Sequence, residues 1–200
     1  MKLEARFKTS DNRLYTLDGA ECSIYPETFE SEKILGGQSS LPEGKGPFAL
    51  SVNWTTVGLD DQSYNEEFLA SFRDFLKQLE EQDRYVMIVP VADKNPSSAE
   101  EKSALTASMK HCARRLKDCA SIVGFAVPGE SDPEEFISEL RQKHQHYAFF
   151  SRDTNLLQDK SIVKFQSDGG QNGFHTETLL RRGKNQKALQ GGKRELLRRT

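Results

Sequence analysis

Residues 85–127 read YVMIVPVADKNPSSAEEKSALTASMKHCARRLKDCASIVGFAV, and this stretch decides the fold class. It opens and closes on short apolar runs, Tyr85–Val91 and Ser121–Val127. A strand covered on both faces reads this way, because neither direction of its side chains meets water. Between the runs, Ser98 followed by Glu101 is a capping-box pattern, in which a hydroxyl and a carboxylate satisfy the free N–H groups at a helix start. Leu105, Met109, Cys112, Leu116 and Cys119 then recur on one helical face. Buried strand, capped helix and buried strand make a βαβ unit with parallel strands.

The same theme extends in both directions. Upstream, Phe48–Trp54 (FALSVNW) reads as a strand, and Ser63 with Glu66 caps a helix that aligns Phe68, Phe72, Phe75 and Leu79. Downstream, Ser131, Pro133 and Glu134 open a helix with Phe136, Ile137 and Leu140 inward. Tyr147–Phe150 and Ile162–Phe165 are short strands. The repeat predicts an α/β fold of parallel βα units with the helices outside. Two architectures satisfy it: an incomplete, TIM-barrel-like section, or an open doubly wound sheet. Before the repeat, Leu3–Phe7 and Arg13–Leu17 pair as a hairpin through Ser10-Asp11-Asn12, and Ala20–Tyr25 is the expected first strand of the main sheet. Residues 26–46, rich in Gly, Pro, Ser and Glu, read as a long loop.

The chain has 200 residues, 36% of them apolar, and a formal net charge of −2. Residues 161–200 hold 9 of the 28 Lys and Arg but 3 of the 30 Asp and Glu, so they carry +6 against −8 for the rest. The expected organisation is one α/β domain over 1–180 and a basic tail over 181–200, RRGKNQKALQGGKRELLRRT. No aromatic residue follows Phe174, so base stacking lacks support and nucleic acid is not the expected partner. No run approaches 18 apolar residues, and no membrane span is expected. The start has no apolar secretory stretch, and Cys22, Cys112 and Cys119 are odd in number. Together these read as reduced thiols in a cytoplasmic protein. A P-loop, a Gly-x-Gly-x-x-Gly after a strand, Cys-x-x-Cys and His-Glu-x-x-His are all missing from the sequence, so no cofactor or metal is expected.

In both architectures ligands meet the carboxyl ends of the parallel strands. That rule selects Asn53 and Trp54, then Asp93, then Glu130, and finally Ser151, Arg152 and Asp153. Glu130 closes GFAVPGE, and a partly desolvated carboxyl there serves as general acid, whereas a solvated one only favours the next helix start. Asp93 orients a substrate hydroxyl, pairs with Lys94, or shapes an Asx turn before Asn95-Pro96. Trp54 either stacks on a sugar or closes the core. Asn53 has hydrogen-bonding capacity, but adjacent strand residues point to opposite faces, so only one of the pair faces inward. His111, His144 and His146 read as structural or surface residues. His175 and Glu177 share a face of an extended segment and form a second candidate acid/base pair.

With these positions located, LSVNWTTVGLDDQSYNEEFLASFRDFLKQLEEQDRYVMIVPVAD (50–93) and MKHCARRLKDCASIVGFAVPGE (109–130) resemble clan A glycoside hydrolases, especially the cellulase-like (β/α)8 barrels. The resemblance spans about residues 14–166. It equates VMIVPVAD with the third barrel strand and SIVGFAVPGE with the fourth, whose Asn-Glu-Pro end supplies the general acid/base. Glu130 matches that glutamate, with Gly129 in place of Asn and Ser131 in place of Pro. In the family the second carboxylate comes from the seventh strand. Six strands are expected here, counted from Ala20, and Glu177 is the substitute in the remaining chain.

The expectation is a glycoside-hydrolase-like protein acting on or binding carbohydrate, with Glu130 and Glu177 as catalytic candidates and Asn53, Trp54 and Asp93 against the sugar. The alternative is a non-catalytic binding or assembly protein on a degenerate barrel scaffold. An incomplete barrel leaves sheet edges to cover, so a homo-oligomer or another protein chain is the second expected partner.

Overall fold

The structure, a computed structural model, describes residues 3–58 and 63–166. Its main sheet has six parallel strands in strict sequence order: β4 (Thr28–Glu30), β5 (Phe48–Asn53), β6 (Val86–Val91), β7 (Ile122–Ala126), β8 (Ala148–Ser151) and β9 (Ile162–Lys164). A doubly wound sheet needs a point where the strand order reverses. The order here never reverses, so right-handed crossovers send every connection to the same side. The sheet is therefore of the open or incomplete TIM-barrel kind, and the doubly wound alternative falls.

Helices α1 (Ser31–Leu35), α2 (Trp54–Val57), α3 (Glu66–Glu81), α4 (Ala99–Arg115) and α5 (Pro133–Arg141) lie in the crossovers, and a 3-10 turn at Leu156–Gln158 precedes β9. Their starts follow local chemistry. Ser98 accepts from the Glu101 N–H at 3.2 Å, as its cap pattern requires, while Glu101 reaches back to the Ser97 N–H at 2.7 Å. For α3 the cap is Asn65, accepting from Phe68 N–H, rather than Ser63. For α5 it is Asp132, with Pro133 at the first helical position. Leu69, Phe72, Leu76 and Leu79 form the buried stripe of α3, with Phe68 and Phe75 at its margin.

The strand positions alternate between two cores. Phe48, Leu50, Val52, Val86, Ile88, Phe125 and Phe149 face the helices, joined by Leu105, Met109, Phe136 and Leu140. Ala49, Met87, Val89, Val123, Phe150 and Val163 face the other side, where a barrel has its interior. That side is filled by a second sheet from the amino-terminal segment, the antiparallel β1 (Phe7–Ser10), β2 (Arg13–Thr16) and β3 (Glu21–Cys22). Leu14, 1% exposed, is its main contribution to the interior core. Phe7 meets the edge of Tyr85 at 5.0 Å between ring centroids.

Three expectations need correction here. The hairpin lies later than Leu3–Phe7, because Asp11 and Asn12, both with positive φ, form the turn. Residues 20–25 do not start the main sheet, since Glu21 and Cys22 pair antiparallel with β2. The first strand of the main sheet is β4, inside the segment that composition marks as loop, where Phe29 pairs beside Leu50 and packs on the core. Among the described residues the main sheet has six strands, as expected, with different membership. Among the described residues no helix is long and apolar enough to cross a membrane. The 180/181 boundary lies outside the described residues.

Candidate functional site

Because the six strands are parallel and in order, their carboxyl ends form one rim. Neighbouring ends stand about 4.8 Å apart in the hydrogen-bonding direction. Asn53 closes β5, Asp93 follows β6, Glu130 follows β7, and Arg152 and Asp153 follow β8. Strand period places Asn53 on the interior face with Ala49 and Ser51, and Trp54 on the helix side.

Trp54 is 1% exposed, and its indole N–H donates to Ser108 Oγ at 3.2 Å. Ser108 in turn donates to the Gly58 carbonyl at 2.6 Å. The ring is thus part of the helix-side core and shows no face to a ligand, which corrects the expected sugar platform. The alternation of the strand is the reason: with Asn53 turned inward, its neighbour must turn outward.

Asp93 is exposed and engaged. It accepts from the Thr55 N–H at 3.0 Å and from the Thr55 hydroxyl. It thereby caps α2 from a neighbouring strand end, a favourable place for a carboxylate. Lys94 pairs with Glu101 at 3.7 Å rather than with Asp93. On the opposite flank, the Thr56 hydroxyl donates to Glu32 at 2.7 Å, and Ser31 donates to the other oxygen of Glu32 at 3.1 Å. The short helix after β5 is therefore held from both sides by carboxylates. Glu32 is the rim residue that sequence reasoning missed. Its signal was the Thr-Phe pair at 28–29, a strand-forming dipeptide within a segment otherwise rich in turn formers.

Glu130 sits at the tip of a tight turn. Both the N–H and the hydroxyl of Ser131 donate to the Pro128 carbonyl, at 3.3 and 2.9 Å. This closes the turn and leaves Gly129 in open space and Glu130 exposed. Glu130 is thus exposed, the solvated one of the two alternatives its sequence allowed. Past β8, Ser151 Oγ accepts from the Asp153 N–H at 3.0 Å, Asp153 accepts from the Asn155 N–H at 2.8 Å, and Arg152 lies over Phe165 at 4.8 Å. The rim as a whole presents Asn53, Glu130 and Arg152 with fixed carboxylates at Glu32, Asp93 and Asp153. Such a set can donate to and accept from hydroxyl groups. Glu177 and His175 lie outside the described residues.

The remaining singled-out residues belong elsewhere. His111 is buried, with Nε2 2.8 Å from Glu66, Nδ1 2.9 Å from Arg114 and its ring stacked on Tyr64 at 3.7 Å, so it joins α3 to α4. Cys112 and Cys119 are buried, and burial pushes both thiols up to about 12, out of reach of thiolate chemistry. Among the described residues no group of three His, Cys, Asp or Glu is placed to hold a metal. A separate open groove of about 700 Å3 lies between β3 and β9, lined by Arg13, Glu21, Ile24, Lys164 and Phe165.

No family model and no curated protein sequence matches this chain. Solved structures do. An endogalactoceramidase aligns with a TM-score of 0.56 at 10% identity, covering 80% of this chain and 59% of its own. Endo-glycoceramidase II from Rhodococcus sp. aligns with a TM-score of 0.49 at 9% identity, covering 82% and 57%. The catalytic domain of an endoglucanase from Thermobifida fusca, in complex with cellotetraose, aligns with a TM-score of 0.45 at 13% identity, covering 72% and 52%. The chain spans no more than 59% of the length of any of the three. At such identity the likeness is one of fold alone, shared with part of the endogalactoceramidase.

Proposed function

We propose that the protein binds carbohydrate at the carboxyl-end rim of its sheet, as a glycoside-hydrolase-like protein, with Asn53, Glu130 and Arg152 contacting sugar hydroxyls. The observation that carries this reading is the strand order. It supports the reading because these residues follow neighbouring parallel strands at the same end, on a fold shared in part with an endogalactoceramidase. Asp93 and Glu32 serve the site indirectly by holding α2, and with it the end of β5, in place. Isothermal titration with soluble β-linked gluco- and galacto-oligosaccharides tests the proposal. Loss of an Asn53 or Glu130 contact weakens binding by about tenfold each, at 1–1.5 kcal/mol per hydrogen bond. Equal affinity in wild type, Asn53→Ala and Glu130→Gln removes the rim as the site.

A second reading makes the protein a hydrolase, with Glu130 as general acid/base. It is favoured by the place of Glu130, after the strand that the cellulase-like resemblance equates with the acid/base strand. Two carboxyls at about 5–5.5 Å would give retention, and about 6.5–9.5 Å inversion; Glu177 is the candidate partner. Release of reducing sugar that Glu130→Gln abolishes, with binding retained, selects this reading over binding alone.

A further inference from the structure

Asn53 stands in the place of a helix N-cap and does not cap. It ends β5 and precedes α2 with φ −72° and ψ 139°, the extended backbone that a capping residue adopts. An asparagine there ordinarily turns its side-chain oxygen onto the N–H of the second or third helical residue. The second residue of α2 is Thr55, and its N–H is already taken. In the parallel register Asn53 lies beside Val91, so two residues further on Asp93 reaches Thr55. Asp93 accepts from the Thr55 N–H at 3.0 Å and from its hydroxyl. The carboxylate outcompetes the carboxamide because its hydrogen bonds are charge-assisted and so about twice as strong. Asn53 makes no cap hydrogen bond, and among the described residues its half-buried amide has no hydrogen-bond partner.

The amide is thus available to a group from outside the chain. It offers an acceptor oxygen and an N–H2 donor, the complement of a hydroxyl. We propose that Asp93 is a positioning residue that acts through Asn53: by capping α2 from the neighbouring strand, it keeps the Asn53 amide out of the cap and open to a sugar hydroxyl at the rim. The inference rests on the rim as the sugar site and goes further than the support of α2, since it assigns Asp93 an effect on one ligand contact. Without the Asp93 carboxylate, the Asn53 oxygen turns onto the Thr55 N–H and the contact is lost. That substitute cap is partial, because the Thr55 hydroxyl loses its acceptor in either case.

The test uses the full chain and soluble β-linked gluco- and galacto-oligosaccharides in isothermal titration. Asp93→Ala and Asn53→Ala are each expected to weaken binding about tenfold, and the double variant about tenfold rather than about a hundredfold, because Asp93 acts through Asn53. Asp93→Asn, which still offers Thr55 an oxygen, is expected to bind within about twofold of wild type. A second measurement needs no sugar. Through-hydrogen-bond NMR coupling from the Thr55 amide nitrogen is expected to reach the side-chain carbonyl carbon of Asp93 in wild type and that of Asn53 in Asp93→Ala. Coupling to Asn53 in wild type, or a solvent-open Thr55 N–H in Asp93→Ala, overturns the proposal. So does a loss of about a hundredfold in the double variant, or unchanged affinity in Asp93→Ala beside a weakened Asn53→Ala; in both cases the rim stands as the site. Wild-type affinity in Asn53→Ala, or no binding by any form, removes the rim reading instead, and this inference with it.

Discussion

At the residue scale the most consequential side chain outside the rim is His144. It is 3% exposed, follows α5, and stacks on Tyr147 at 5.2 Å between ring centroids. Burial first, then the neighbouring His146 and Lys117, lowers it from 6.5 to about 4. The unfolded chain therefore takes up a proton near pH 6.5 that the folded chain refuses until about pH 4. Stability is complete above 6.5, falls as the pH drops through that window, and levels off below it. Urea unfolding at pH 5 is expected to find the protein on the order of 2 kcal/mol less stable than at pH 7, with His144→Phe removing that slope. An unchanged slope in the variant assigns the effect elsewhere. Asp118 acts lower on the scale: Arg73 holds it below the ordinary carboxylate range, so its contribution is lost only as the pH falls through that depressed range. The sequence left His144 between a structural and a surface role, and the structure gives it the interior. Its burial depends on Tyr147 and on the chain reversing directly after Leu140, whose carbonyl accepts from the His144 N–H, and neither leaves a periodic signal.

At the element scale, β7 lies against β8 at a position that only glycine allows. A Cβ on Gly124 would sit 1.8 Å from the Ala148 carbonyl oxygen, a backbone atom that cannot step aside. Gly124→Ala is expected to force the two strands apart and cost about 1–3 kcal/mol or more, read as a lowered denaturant midpoint. A midpoint equal to wild type would show that the strands separate freely. The cap of α2 is the second test. Asp93→Ala removes both acceptors for Thr55, and a loss of about 1 kcal/mol is expected, against no change if the cap is idle. Elements with strong local chemistry were legible in the sequence: the Ser98 cap, the apolar β6 and β7, and the inward Phe136 and Leu140. The three residues of β4 were not, because a strand that short has no alternation to display and lies among glycines and prolines. The α3 cap moved from Ser63 to Asn65 because a second competent capping residue stood two positions later.

At the scale of the whole molecule, the described residues form a barrel-like sheet of six ordered parallel strands, its inner face covered by an antiparallel sheet from the amino-terminal segment. Repeating βα units predicted the first half of that statement. The second rests on Leu14 and Phe7 meeting residues far along the chain, Phe150 and Tyr85 among them, and local pattern carries no record of such pairings. The rim followed from strand direction alone, which is why Asn53, Asp93 and Glu130 were selected together. The side-chain roles did not follow, since Trp54 turned to the core and Asp93 to a helix cap. Leu14→Ala probes the filled interior, with an expected loss of about 2–5 kcal/mol in unfolding free energy. A loss under about 0.5 kcal/mol, as at an ordinary surface site, contradicts it. The most direct test of the sugar-binding rim is an amide-resolved NMR titration of the full chain with β-linked oligosaccharides. The account predicts shifts concentrated at residues 53–56, 93–95, 129–131 and 151–153. Saturable shifts confined to the groove between β3 and β9, or none at any sugar concentration, contradict it.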